Sequence, residues 1–287
     1  MLTVDSLPCL RDAVRELRLG GRSLALVPTM GALHEGHLAL VREAKRRADR
    51  VVVSIFVNPR QFGLNEDLDG YPRKLAQDTA LLEAEAVDLL WAPAASEVYP
   101  GGFVTNVSVA LLSEGLCGAS RPGHFDGVAT VVLKLFNQVM PDIALFGEKD
   151  WQQLIVIRRM ARDLDLVHPD THAIIGVPTV REEDGLAMSS RNVYLSQEER
   201  QRAAALPRAM REATSRLEAG EAAEPVLADL ESALIAGGFA STDYAVLADA
   251  ESLEPLGRLG DAPARLLVAA RIGGTRLIDN MMVGESG

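Results

Sequence analysis

Two histidines three residues apart, His34 and His37, stand in the stretch Val27-Pro28-Thr29-Met30-Gly31-Ala32-Leu33-His34-Glu35-Gly36-His37. An apolar run, Leu24 to Val27, precedes the glycine turn, and a helical pattern with Leu38, Leu40, Val41 and Ala44 follows it. Strand, tight turn and helix start form a place where free backbone N–H groups and the positive end of a helix dipole gather, so the pattern predicts a phosphate site. Imidazole N–H groups on one face of the first helical turn would grip a phosphoryl oxygen as charge builds on it. Two other readings stay open at this point. The pair could be purely structural, or it could ligate zinc, which needs a third ligand. With five histidines and two cysteines in the chain, that ligand would have to come from distant residues such as His124, His168 or His172.

Three more clusters carry chemistry. Gly147-Glu148-Lys149-Asp150 follows the apolar run Ile143–Phe146. A lysine there is a point charge suited to phosphate, although a solvated charged loop is the plain alternative. Ser189-Ser190-Arg191 combines two hydroxyls with a guanidinium, both phosphate-binding types, while a serine helix cap is the competing explanation. Asn58, Gln61 and Gln153 can hydrogen-bond a hydroxyl or carboxylate, and ordinary loop or helix polarity would account for them equally. Tyr71-Pro72 and Arg121-Pro122-Gly123-His124-Phe125 read as turn and packing residues.

The elements that must position these groups follow from periodicity. Helices are predicted over 7–19, from the histidine motif to about 48, over 72–86 with Leu75, Thr79, Leu82 and Ala86 on one face, over 127–139 and over 151–164. Strands are predicted at 24–27, 51–57, 87–91, 143–146 and 173–177, with a possible extra strand at Thr105–Val109. The alternation implies an α/β fold, a Rossmann-like parallel sheet with helices on both faces, whose ligands bind beyond the carboxyl ends of the strands. After a charged turn at 181–185 the pattern changes to a long helix over 197–219, a second over 225–236 and three strand-like pieces. This reads as a small α+β domain, so the chain divides into residues 1–177 and 178–287.

Composition narrows the function. Across 287 residues, 48% apolar content is ample for real cores. A net charge of -11 argues against nucleic acid, whose backbone requires a basic face. Cys9 and Cys117 show no C-x-x-C spacing and read as thiols of a reducing compartment. Asp5 and Pro8 interrupt any signal-peptide pattern, and no run reaches the ~18 apolar residues of a membrane span. A cytoplasmic protein without membrane or nucleic-acid partners is expected.

Together the motifs resemble the pantothenate synthetase, or pantoate–β-alanine ligase, family. The resemblance rests on Pro28 to His37, on Ser54-Ile55-Phe56-Val57-Asn58-Pro59 with Gln61-Phe62, and on Phe146 to Asp150 with Gln152-Gln153. Asp184 to Asn192, Leu267 to Arg271 and Thr275 to Asn280 fit the same pattern, whereas residues 197–265 are generic. It implies an H-x-G-H nucleotidyltransferase fold with a C-terminal lid. The implied reaction is ATP-dependent condensation of pantoate with β-alanine through a pantoyl adenylate, giving pantothenate, AMP and pyrophosphate. A homodimer and Mg²⁺ bridging the phosphates, with no protein metal ligand assigned, are implied as well.

Carried over by position, Met30, Gly31, Ala32, Leu33, His34, Glu35, Gly36 and His37 would line the ATP site, with His37 as proton donor. Gly147, Glu148, Lys149, Asp150, Val180, Met188, Ser189, Ser190 and Arg191 would also bind ATP. His34, Lys149 and Arg191 would share the catalytic work. Gln61 would touch pantoate and β-alanine, and Gln153 and Asn58 would hold pantoate. The rivals are another H-x-G-H transferase, such as a cytidylyltransferase, and a nucleotide-sensing module that makes no AMP. An aminoacyl-tRNA synthetase fails on length and charge.

Overall fold

In the computed structural model, residues 1–63, 68 and 70–284 are described. The chain opens with β1 (Leu2–Val4), a strand too short for periodicity to reveal, and α1 (Leu7–Leu17), which buries Leu10, Ala13 and Val14. Then come β2 (Leu24–Thr29), α2 (Glu35–Arg47), β3 (Arg50–Ile55), α3 (Leu75–Ala84), β4 (Leu89–Trp91) and the short α4 (Ala95–Val98). After α5 (Cys117–Ser120) follow α6 (His124–Val139), β5 (Ile143–Gly147), α7 (Trp151–Asp163) and β6 (Ile174–Val177). The remainder comprises α8 (Gln197–Ala203), α9 (Ala205–Glu218), α10 (Ala223–Ala236), β7 (Ser241–Asp249), β8 (Ala264–Ile272) and β9 (Thr275–Val283).

Among the described residues the strands make two sheets. Six parallel strands lie in the order β1-β4-β3-β2-β5-β6. Leu24 to Val27 and Val51 to Val53 are wholly or almost wholly buried, as strands covered on both faces must be. Each buried Leu or Val among them contributes roughly 1.5–3 kcal/mol of burial. Trp91 is also fully enclosed, and its indole N–H donates to Gln138 Oε1 at 3.2 Å, so the one polar atom of the ring is satisfied. The chain runs from β2 to β3 and β4 on one side, then returns to place β5 and β6 on the other. The order therefore reverses between β2 and β5, the place where open α/β sheets bind ligands.

The chain forms two compact units, residues 1–148 with 153–178, and residues 149–152 with 179–287. A division at 177/178 puts Lys149–Gln152 with the first unit; the structure groups those four residues with the second. The second unit is the antiparallel sheet β7-β8-β9 with α9 on β9 and α10 on β7. Its core joins Leu206, Met210, Leu230 and Leu234 to Leu247, Leu266 and Val268.

Three expected elements differ. Thr105–Val109 forms no strand, despite its alternation. Val107 N–H donates to the Thr130 hydroxyl at 2.9 Å, and Asn106 and Ser108 bond to the Asp126 carboxylate, so α6 side chains take partners that a neighbouring strand would supply. The helix expected over 197–219 is two helices, α8 and α9, meeting at Ala204. Pro207, which has no N–H for the Ala203 carbonyl and crowds it sterically, sits in the first turn of α9 instead. On α3 the buried positions are Asp78 and Leu82, while Leu75 is exposed. No described helix is long and apolar enough to cross a membrane.

Candidate active site

The histidine motif is the β2–α2 connection, at the carboxyl end of a central strand. The chain turns sharply there, with Gly31 at φ 84° and Ala32 at φ 51°. A Cβ on Gly31 would sit 3.1 Å from Asp78 Oδ2 and 3.2 Å from Ile55 Cγ2, so both conformation and space favour glycine. Its N–H donates to the Thr29 hydroxyl, which in turn donates to the Ser54 carbonyl and so links the turn to β3.

The backbone donors expected to be open for phosphate are largely engaged. Ala32 N–H and Leu33 N–H donate to the two oxygens of the Asp78 carboxylate, at 2.9 and 2.8 Å. Gly36 N–H donates to His34 Nδ1 at 3.2 Å, and His34 N–H to His37 Nδ1 at 3.3 Å, a capping box built from two imidazoles. The anion already paired with this loop is an internal carboxylate. That arrangement decides what the histidines offer. A ring nitrogen that accepts a backbone N–H carries no proton, so in each neutral ring the proton sits on Nε2. The rings are 4.1 Å apart between centroids and tilted by 45°. The structural reading of the pair is thus met: Nδ1 of each ring caps the helix, and a neutral ring carries its proton on Nε2. Among the described residues no three His, Cys, Asp or Glu side chains gather as a metal cage.

The second cluster lies at the end of β3, in the 3-10 turn Pro59–Gln61. Asn58 and Gln61 are both buried, at 1% and 8% exposure, and Asn58 Nδ2 donates to Gln61 Oε1 at 2.8 Å. The Gln61 carbonyl accepts from Arg121 Nη2 at 3.1 Å and from His124 Nδ1 at 2.9 Å. Arg121 Nη1 lies 3.1 Å from His124 Nε2, so this histidine is protonated on Nδ1. Arg121 and His124 thus anchor the turn rather than merely filling a loop. Gly127 on α6 touches the same turn: a Cβ there would stand 2.1 Å from the Arg60 carbonyl oxygen and 2.9 Å from Gln61 N. Gly127→Ala should cost about 1–3 kcal/mol in urea unfolding, because the neighbour is rigid backbone. An unchanged unfolding midpoint would show that the turn yields freely.

The third cluster follows β5, the other neighbour of β2. Gly147 closes the strand, paired to Val177, and Glu148 begins the 3-10 turn that follows. The loops Met30–His37, Asn58–Gln61 and Gly147–Glu148 therefore leave the same ends of three consecutive parallel strands, β3, β2 and β5. Gln153 lies on α7 and is half-buried.

In the second unit, Lys149 precedes Asp150 in a 3-10 turn, and their side chains are 3.5 Å apart. The Lys149 carbonyl accepts from Asn280 Nδ2 at 2.9 Å. Trp151 donates from Nε1 to the Ala250 carbonyl at 2.8 Å, and the Arg265 guanidinium stacks 3.4 Å from the indole centroid. Arg265 also donates to Asn280 Oδ1 at 2.6 Å. These bonds explain why Lys149–Gln152 groups with this unit.

Val180 and Met188 meet across a tight hairpin, where Met188 N–H donates to the Val180 carbonyl at 3.0 Å. The hairpin is fixed by Arg181, whose guanidinium grips the buried Asp279 carboxylate at 2.6 and 2.9 Å and also donates to the Gly185 carbonyl. Arg200 bonds Glu182 and Asp184, and its guanidinium holds the Asp184 carboxyl below its ordinary range. Ser189 caps the 3-10 turn Ser190–Tyr194 by accepting Arg191 N–H at 3.3 Å. The cap expected as an alternative is real, and it presents Ser190 and Arg191, both half-buried, at the start of the turn.

The family model described as pantoate-beta-alanine ligase matches residues 3–282. The chain belongs to the pantoate–β-alanine ligase family. The pantothenate synthetase of Novosphingobium aromaticivorans is 66% identical over 284 residues, 99% of each chain. That of Sphingopyxis alaskensis is 61% identical over 99% of this chain and 100% of its own. A crystal structure of pantothenate synthetase from Thermus thermophilus superposes with a TM-score of 0.91 at 49% identity, covering 98% of this chain and 99% of that one. The Francisella tularensis ligase, solved complexed with β-γ ATP and β-alanine, gives 0.83 at 33% identity over 98% and 97%. This ligase is therefore an enzyme with the expected parallel-sheet fold. Residues that its sequence did not single out as supports are Asp78, Tyr99, Arg181 and Asp279. Asp78 had one legible signal: a carboxylate four residues before buried Leu82 shares its helix face.

Proposed function

We propose that this ligase condenses pantoate with β-alanine in two steps at the expense of ATP. The observation that carries the reading is the set of three polar loops at the carboxyl ends of β3, β2 and β5, with the histidine pair that caps α2 standing on the central one. A carboxylate does not acylate an amine unaided, because its oxygen leaves poorly. In the first step a pantoate carboxylate oxygen attacks the α-phosphorus of ATP, the bond to the bridging oxygen breaks, and pyrophosphate departs with that electron pair. The β-alanine amine then attacks the acyl carbon, AMP leaves, and the nitrogen loses a proton. No protein nucleophile is required; positioning and charge stabilisation do the work.

In this scheme His34 and His37 donate from Nε2 to phosphate oxygens, and Lys149 and Arg191 offset negative charge as pyrophosphate forms. Met30 to Leu33, Gly147 to Asp150, Val180, and Met188 to Ser190 are assigned to ATP in the same scheme. Gln61 and Gln153 hold pantoate. Mg²⁺ belongs to the proposal as a phosphate-bound ion, because it keeps waters and takes phosphate oxygens readily. When bound it would supply charge neutralisation. A homodimer is part of the proposal and predicts a solution mass of two chains by light scattering.

The decisive experiment is isotope exchange between pyrophosphate and ATP without β-alanine. Exchange that requires pantoate is the expected result, and AMP formation without any such exchange would exclude the acyl adenylate. Gln61→Ala should weaken pantoate binding by about 2 kcal/mol, roughly 30-fold, while ATP affinity holds. Equal losses for both substrates by calorimetry would remove Gln61 from the pantoate site.

A further inference from the structure

The side-chain amide of Asn58 is saturated by protein groups. Its Oδ1 accepts Arg60 N–H at 3.3 Å and the Tyr99 hydroxyl at 2.8 Å, and its Nδ2 donates to the Gly127 carbonyl at 3.0 Å and to Gln61 Oε1 at 2.8 Å. Two donors and two acceptor positions are the whole capacity of a carboxamide. Backbone groups fix its direction. An N–H can only donate, so the atom facing Arg60 is oxygen; a carbonyl can only accept, so the atom facing Gly127 is nitrogen. The same logic passes to Gln61. Facing an Asn58 N–H, it must present Oε1 inward, which leaves its NH₂ as the outer end. Among the described residues nothing accepts from Gln61 Nε2, although the residue is 8% exposed.

The outer anchor of this chain is Tyr99. Its ring packs edge-on to Phe103 at 5.1 Å and against Phe56 at 6.1 Å. Burial pushes its hydroxyl up to about 12, against the opposing pull of the Arg60 cation, so it remains a protonated donor at any working pH.

We propose that Tyr99 and Asn58 are positioning residues, which hold the Gln61 carboxamide with its NH₂ presented to oxygen acceptors of the acid substrate. In this proposal Tyr99 and Asn58 act through Gln61 rather than on substrate, which for Asn58 takes the place of the expected direct contact with pantoate. The proposal rests on the reading that Gln61 contacts pantoate, and it adds what orients that contact: a buried relay whose polarity is set by two backbone groups.

A double-mutant cycle on the full-length enzyme tests it, using pantoate as the probe. Tyr99→Phe keeps the ring packing and removes one hydrogen bond; the KM for pantoate should rise roughly fivefold with the KM for ATP unchanged. In a Gln61→Ala background the same substitution should have no further effect on pantoate, because Tyr99 acts through Gln61. Asn58→Asp, which replaces the donor to Gln61 by an acceptor, should raise the pantoate KM more than Tyr99→Phe does, and thermal melts of each variant show that the fold is retained. Additive effects of Tyr99→Phe and Gln61→Ala, or equal changes in both KM values, would overturn the relay. If Gln61→Ala itself leaves pantoate binding intact, the underlying assignment of Gln61 falls, and the relay falls with it.

Discussion

His37→Ala should slow pantoate-dependent adenylate formation by at least ~10²-fold, the scale for losing one donor that meets developing charge. Two losses are combined in that variant. The ring supplies an Nδ1 acceptor for His34 N–H and an Nε2 donor at its other edge. Loss of a cap costs about 1 kcal/mol of stability, which leaves the rate effect to the donor. His37→Asn separates them. Its side-chain oxygen reaches the position of Nδ1 and restores the cap, but nothing replaces Nε2, so stability should recover while the rate stays low. Lys149→Ala should match the loss of rate, since the proposed scheme assigns the lysine's full positive charge to the phosphates. Single-turnover rates near that of the unaltered enzyme would refute these roles, and recovery of rate in His37→Asn would make the histidine a cap and no more.

Asp78→Ala should be the most destabilising single change near the site. The carboxylate is 2% exposed and takes two backbone N–H groups, one on each oxygen. Hydrogen bonds to a charged group contribute about 1.5–3 kcal/mol each, and the orphaned donors lie in a partly buried turn, so a loss of about 3 kcal/mol is expected in urea unfolding. Ala32, a residue with a Cβ in the left-handed region, costs ~1 kcal/mol or more, and the Asp78 bond to its N–H helps offset that strain. Asp78→Asn retains one acceptor oxygen but turns an NH₂ toward the other backbone N–H, so it should recover only part of the loss. Activity should fall with stability in both, because the turn aims the histidine helix. An unchanged urea midpoint for Asp78→Ala would show that the loop holds its shape without the carboxylate.

The supports of the site divide into those that local pattern reveals and those that it hides. β2 and β3 are legible because a strand buried on both faces must be continuously apolar, as Leu24–Val27 and Val51–Val53 are. Their polar exits are legible because ligands collect at those ends. Asp78 is hidden from apolar periodicity, which marks Leu75 and Leu82 and is blind to a carboxylate turned inward; only its spacing from Leu82 hints at it. Pro207 is legible in principle as a helix break, and the apolar stripe running through 197–219 conceals it. The alternation of Thr105–Val109 misleads for the opposite reason: polar residues at alternate positions bond α6 side chains as readily as they face water.

By itself the sequence determined the alternating architecture, the three strand-end clusters and the family, because burial patterns and motif spacing are local properties of the chain. Only the tertiary structure decided that the order of strands reverses between β2 and β5, that Asp78 holds the histidine turn, and that Lys149 is fastened by Asn280 while Trp151 bonds Ala250. These depend on pairings between residues far apart in the chain, from 45 positions for Leu33 and Asp78 to 131 for Lys149 and Asn280. A single chain read in order carries no record of which distant donor will meet which acceptor; that is settled when the sheets and helices pack.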